Sequence, residues 1–143
     1  MGIEILVIEP NVDKQARHLA GLSAAFADAN ITIVEAGAPA LICSATREYA
    51  LYVMRYLSYN EANAKGVFPA KIVRSWVENL RIQQPDARVI LLAPRRAEGV
   101  ATKLNIGCVV FEQGKVPYTA IASWYTSQQP KVSLQQPSET QAA

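Results

Sequence analysis

Ile3-Glu4-Ile5-Leu6-Val7-Ile8-Glu9-Pro10-Asn11 is the stretch from which the fold is read. A short β-rich apolar run stopped by turn residues reads as a strand buried on both faces. Asp13 can cap a helix, and residues 13–30 read as one. In it Ala16, Leu19, Ala20, Ser23, Phe26 and Ala27 recur at spacings of three and four, which predicts one buried stripe. Residues 31–35 predict a second strand, stopped by Ala36-Gly37. Strand, helix and strand make a βαβ unit, whose crossover is right-handed and parallel.

The pattern continues towards the other end. Residues 68–83 read as a helix with Pro69 at its start and a stripe of Ile72, Val73, Trp76, Val77 and Leu80. Residues 88–93 form a strand closed by Pro94-Arg95-Arg96, and 97–104 a short helix. Residues 106–111 predict the last strand and 117–127 the last helix. The middle admits two parses. Either Pro39 opens a helix over 39–48 and 50–54 is strand three, or 40–43 is a strand and 46–62 one long helix. Periodicity alone does not separate the two. Residues 58–66 read as a loop or frayed helix end. Alternating strands and helices predict a doubly wound α/β three-layer sandwich around a five-stranded parallel sheet, spanning residues 1–126. Residues 127–143, rich in Gln, Pro, Ser and Thr, read as a disordered tail.

Composition narrows the function. The 143 residues are half hydrophobic and only 18% charged, which excludes a solvating or disordered protein. A net charge of +2 is too small to mark a nucleic-acid binder. No apolar run approaches a membrane span, and no Lys/Arg-led apolar segment suggests a signal peptide. Cys43 and Cys108 are far apart without a CxxC, so they are expected to be inert buried thiols in a reducing, cytoplasmic setting. No P-loop, GxGxxG or GxSxG pattern occurs. No metal or cofactor is expected.

The first strand with Glu9-Pro10-Asn11, the long helix, and Val34-Glu35-Ala36-Gly37 together resemble the start of a response-regulator receiver domain. So does Val77-Glu78-Asn79-Leu80-Arg81 followed by Pro85-Asp86-Ala87-Arg88-Val89-Ile90-Leu91-Leu92. The resemblance covers all but the tail and implies a CheY-like, flavodoxin-like fold. It favours the parse of the middle as a helix over 39–48 and then a strand. It also implies a phosphorylation site: two acids after strand one for Mg²⁺, an acceptor Asp ending strand three, a hydroxyl after strand four and a Lys after strand five. This chain departs from that set. The acidic pair is Glu9-Pro10; the acceptor position holds Arg55, or Tyr56 on a shift of one; the hydroxyl position is Ala93; and Lys115 is only near the expected lysine. Neither Arg nor Tyr forms an acyl phosphate. Arg55 either pairs with Glu9, filling the Mg²⁺ volume with a guanidinium, or reaches solvent at the strand end.

The resemblance thus implies a degenerate, phosphorylation-independent pseudo-receiver: not an enzyme, but a signalling or scaffolding module. Its partner would be another protein or a second copy, docking on the last strand–helix face through Phe111, Tyr118, Ile121 and Tyr125. The alternative is a binder of a small anionic ligand or nucleotide at the strand carboxyl ends, using Glu9, Arg55, Arg95 and Arg96. The bland reading of Arg95-Arg96 is a solvated turn. A nucleic-acid accessory role ranks third. His18, the one histidine, is expected at the surface or half-buried, and Trp76 and Trp124 in the core or at an interface rather than stacking on a ligand. Tyr49, Tyr52, Tyr56 and Tyr59 form a sticky face if on a helix, whereas on strand three Tyr52 and Tyr56 share a face and are structural.

Overall fold

The computed structural model describes residues 2–35, 38–63, 66–112 and 115–128. Five parallel strands stand in the order β2-β1-β3-β4-β5: β1 (Glu4–Ile8), β2 (Asn30–Val34), β3 (Leu51–Arg55), β4 (Val89–Ala93) and β5 (Gly107–Val110). The helices are α1 (Val12–Ala25), α2 (Ala38–Thr46), α3 (Tyr59–Asn63), α4 (Pro69–Gln83), α5 (Glu98–Leu104) and α6 (Tyr118–Ser127). The favoured parse of the middle holds, helix first and then strand. The stretch expected as a loop or frayed helix end carries the short α3, and a 3₁₀ turn over Arg95–Ala97 precedes α5. No helix among the described residues is long and apolar enough to cross a membrane. Ser127 closes α6 and Gln128 caps it. The rest of the expected tail, 129–143, lies outside the described residues.

Strand alternation sorts side chains into two apolar layers. Leu6, Ile8, Tyr52, Met54 and Leu91 face α2, α4 and α5, where Val73, Trp76, Val77 and Leu80 meet them. Ile5, Val7, Val53, Ile90 and Leu92 face α1 and α6, where Leu22 and Ile121 close the layer. The register pairs Val7 with both Ile33 and Val53, and Met54 with Leu91. It therefore brings Glu9, Arg55 and Ala93 to one edge, the carboxyl ends of the three central strands.

Helix α1 departs from its expected phase. Asn11, not Asp13, is its N-cap, accepting from the Lys14 N–H at 3.0 Å. The helix stops at Ala25 rather than at 30; Asp28 turns the chain with φ +61°, and Asn30 already belongs to β2. Ala16, Ala20, Ser23 and Ala27 are exposed, as is Leu19 at 47%. The buried face is His18 and Leu22, with Phe26 half-covered. The stripe was misplaced because a histidine is its central buried residue, and a polar residue drops out of a hydrophobic count.

Candidate functional site

Glu9 follows β1 directly, and its carboxylate is fully buried. An isolated buried carboxylate is very costly, so its partners decide whether it exists as a charge. Oε1 accepts from His18 Nε2 at 2.8 Å and from Arg55 Nε at 2.5 Å. Oε2 accepts from a terminal Arg55 nitrogen at 2.8 Å and from the Asn11 N–H at 3.1 Å. Two bonds on each oxygen account for the roughly four lone-pair positions of a carboxylate. The turn is fixed too, because Gln15 Nε2 donates to the Glu9 carbonyl at 2.7 Å.

Arg55 ends β3, is itself buried, and forks between two carboxylates. Its far side donates to Glu61 Oε1 at 3.0 Å and Oε2 at 2.5 Å, and more weakly to the Tyr56 carbonyl at 3.4 Å. Bidentate guanidinium–carboxylate pairing is the strong, directional form of the ion pair. Glu61 is aimed by the start of α3. Its Oε1 accepts from the Ser58 N–H at 2.8 Å while Ser58 Oγ accepts from the Glu61 N–H at 3.2 Å, a reciprocal capping box. On the other side His18 Nδ1 lies 2.7 Å from the Tyr118 hydroxyl of α6. In the tautomer that gives Nε2–H to Glu9, Nδ1 accepts the hydrogen bond from the Tyr118 hydroxyl. Tyr118 comes this close because Gly21 has no side chain: a Cβ there would run into the Tyr118 ring.

Titration behaviour follows these contacts. Burial pushes the Glu9 carboxyl up, but hydrogen bonds from His18 and Arg55 and the Arg55 charge outweigh it and hold the group below the usual range. Burial works against the Arg55 cation, yet Glu9 and Glu61 raise its pKa further above the ordinary arginine value. Arg55 hydrogen bonds, opposed by partial burial and aided by the Ser58 N–H, bring Glu61 down to about 2. Burial and the nearby Glu9 charge push the Tyr118 phenol up.

Glu9 and Arg55 meet, the pairing outcome of the two left open by the sequence, and His18, Glu61 and Tyr118 join them unforeseen. His18 is 2% exposed, which corrects the expectation of a surface or half-buried residue. Capping-box spacing at Ser58-Tyr59-Asn60-Glu61 was the one sequence signal for Glu61. Pro10 brings no oxygen from its side chain, and Ala93 ends β4 fully buried with a bare methyl side chain, its carbonyl accepting from the Phe111 N–H at 3.1 Å. Lys115 is exposed, and among the described residues no hydrogen bond or ion pair joins it to Glu9. Arg95 and Arg96 are both exposed, and Arg95 lies 3.6 Å from the equally exposed Glu112, so a carboxylate already neighbours one of the two charges. Ile121 corrects the expected partner face: it is fully buried in the α1–α6 layer, leaving Phe111, Tyr118 and Tyr125 half-covered. Cys43 and Cys108 are half-buried rather than buried, and burial raises the Cys108 thiol. Tyr49 and Tyr52 are core, with Tyr52 donating to Gln84 at 2.5 Å, whereas Tyr59 is exposed. Trp76 is core as expected, and Trp124 only half-covered.

A receiver's Mg²⁺ would need oxygen ligands at this edge. The residues present do not fit it: the Glu9 carboxylate is filled by its own chain's donors, that of Glu61 is taken by Arg55 and Ser58, Pro10 offers nothing, and the Arg55 guanidinium lies between the two carboxylates. Beside the cluster a cavity of about 20 Å³, lined by Lys14, Arg17, His18, Arg55, Phe111, Val116 and Tyr118, has room for one water and not for a phosphate.

No protein-family model matches the sequence, and no curated protein matches it. Solved structures do match in shape. The receiver domain of a sensor histidine kinase from Pseudomonas aeruginosa, with magnesium coordinated in its active-site cleft, superposes with a TM-score of 0.65 at 16% identity, over 89% of this chain and 97% of that one. A Francisella response-regulator receiver domain gives 0.65 at 13%, over 88% and 95%. A streptococcal redox sensor evolved from two-component response regulators gives 0.64 at 14%, over 88% of this chain and 50% of that one. The chain has the CheY-like receiver fold.

Proposed function

We propose that this chain is a phosphorylation-independent receiver-like module that acts by binding another protein rather than by catalysis. The observation that carries the reading is the Arg55 guanidinium, buried and bonded to both Glu9 and Glu61 where the fold would otherwise hold an acceptor aspartate and its metal. The cluster's charges are paired and hydrogen-bonded within the chain, so it works as a fixed brace between β1, β3, α1, α3 and α6. Signalling output then depends on surface contacts, and the β5–α6 face with Phe111, Tyr118 and Tyr125 offers aromatic surface for them. The reading of an anion or nucleotide site is the weaker one, because the Arg55 charge is already spent and the adjoining cavity holds only a water.

Magnesium titration tests this by calorimetry and amide NMR on the parent and on Arg55→Asp/Pro10→Asp. The double variant recreates a three-carboxylate pocket with Glu9 and should bind Mg²⁺ measurably, while the parent should not. Mg²⁺ binding by the parent that shifts Glu9, Asn11 and Arg55 would overturn the proposal.

A further inference from the structure

β2 is an outer strand of the sheet. Natural proteins blunt such edges with charges, prolines, bulges or a covering segment. Asn30-Ile31-Thr32-Ile33-Val34 has no charge and no proline, and it pairs with β1 residue for residue without a bulge. The Asn30 N–H donates to the Ile3 carbonyl at 2.8 Å, and the Val34 carbonyl accepts from the Glu9 N–H at 2.8 Å. Alternate residues of a strand turn their backbone groups to the same side. Ile31 and Ile33 therefore point theirs out of the sheet, where no strand of the described residues meets them. A second observation lies above this edge. Gly21 of α1 faces Tyr118 of α6. At about 100° per residue, Val12, Ala16, Leu19 and Ser23 stand on the opposite side of α1, away from α6 and towards the β2 edge. All four are exposed, Val12 at 75%, although a surface helix ordinarily turns charge to solvent.

We infer that β2 is a self-association edge, pairing antiparallel with β2 of a second copy of this chain. The occupant is a second copy because the edge is self-complementary about Thr32. With Thr32 on a twofold axis normal to the sheet, Ile31 of each chain exchanges both backbone hydrogen bonds with Ile33 of the other, and all four outward groups of each chain are satisfied. The same axis sets the helices. α1 runs from the end of β1 to the start of β2 and lies over those two strands, one strand spacing of about 4.8 Å from the axis. Its copy then lies antiparallel at about 10 Å, the distance at which helices pack. Ala16 and Ser23 are small enough for that approach, and Val12 and Leu19 fill it. One strand pair and one helix pair stand near the low end of the roughly 1,200–2,000 Å² that stable interfaces bury, so the dissociation constant is expected at about 10–100 μM. Asp28 and Glu35, exposed at the two ends of the strand, come near each other across the pair, so added salt should tighten it. β5 is the other outer strand, so the dimer leaves the β5–α6 face open.

Sedimentation equilibrium of the full chain, from about 5 μM to about 1 mM, should show monomer passing into dimer. Leu19→Glu, a change at an exposed helix position, should weaken the dimer about tenfold or more with an unchanged circular dichroism spectrum. Thr32→Lys sets like charges directly opposite one another and should weaken it as well. Cross-linking in a Cys43→Ser/Cys108→Ser background reads the register. Thr32→Cys stands on the axis, with the two Cα atoms about 4.5 Å apart, and should form an intermolecular disulfide on mild oxidation. Asn30→Cys, exposed but two residues off the axis, should not. A parent chain still monomeric at about 1 mM, a dimer indifferent to Leu19→Glu, or equal cross-linking of Thr32→Cys and Asn30→Cys would overturn the inference.

Discussion

Arg55→Met removes the guanidinium while keeping most of the stem's packing. The Glu9 carboxylate, fully buried, then retains only His18 and the Asn11 N–H. Breaking one partner from a buried pair costs about 3–5 kcal/mol because the remaining charge is stranded. The two surviving donors soften that, so the low end, about 3 kcal/mol, is expected at pH 7. In a domain of this size it corresponds to a fall of roughly 10 °C in Tm. Loss of the Glu61 bonds adds little, since Glu61 is partly solvated and relaxes into water. Glu9→Gln combined with Arg55→Met should be less damaging than the sum of the singles, with a coupling of about 2 kcal/mol. The variant also predicts a pH signature. Without Arg55 the buried Glu9 carboxyl rises above its unfolded value, so the folded state gains by taking up a proton. The gap between variant and parent therefore narrows as pH falls below neutrality. Urea unfolding monitored by circular dichroism across pH 5–8 measures both effects. A loss under about 1 kcal/mol, with no coupling, is the behaviour of an exposed pair and would refute the reasoning.

In the parent the sign is opposite. Glu61, at about 2 when folded against 4.5 ordinarily, contributes stability that is full above the ordinary value and lost as pH falls towards 2. The ceiling is about 3 kcal/mol at 1.36 kcal/mol per unit; screening by solvent at this partly exposed pair leaves at most about 1. Acid titration of Tm should thus fall in the pH 5 to 2 window, and Glu61→Gln should flatten that fall. Gly21→Ala pushes a Cβ against the Tyr118 ring and should cost about 1–3 kcal/mol. Tyr118→Phe, which loses only the hydroxyl to His18, should cost about 1. Thermal melts of the two variants should rank them in that order, and the reverse ranking would count against the close α1–α6 packing.

Much of the fold was legible because the central strands are uniformly apolar and bounded by Pro, Asn and Asp. β1, β4 and α4 announce themselves in that way, and the resemblance supplied the parse of α2 and β3. Helix α1 was not legible in phase, since its buried face is built on His18, and only the finished fold brings that ring to Glu9. The same distance in sequence hid the rest of the site. Glu9 and Arg55 could be paired because both end neighbouring strands. Glu61 lies on a one-turn helix in a polar stretch, and Tyr118 is 100 residues from His18. Ile121 was assigned to the surface because helix α6 is apolar on several sides, so its sequence does not say which side meets the sheet.

On the proposed reading, the receiver fold of this chain has no phosphoryl acceptor, its place being filled by Arg55. Intact-mass analysis after incubation with Mg²⁺ and acetyl phosphate puts that to the sharpest test, with amide spectra in beryllofluoride as the non-covalent counterpart. The mass should stay unchanged, and so should the spectra around Glu9, Arg55 and Ala93. Addition of one phosphoryl group that hydroxylamine removes would contradict it.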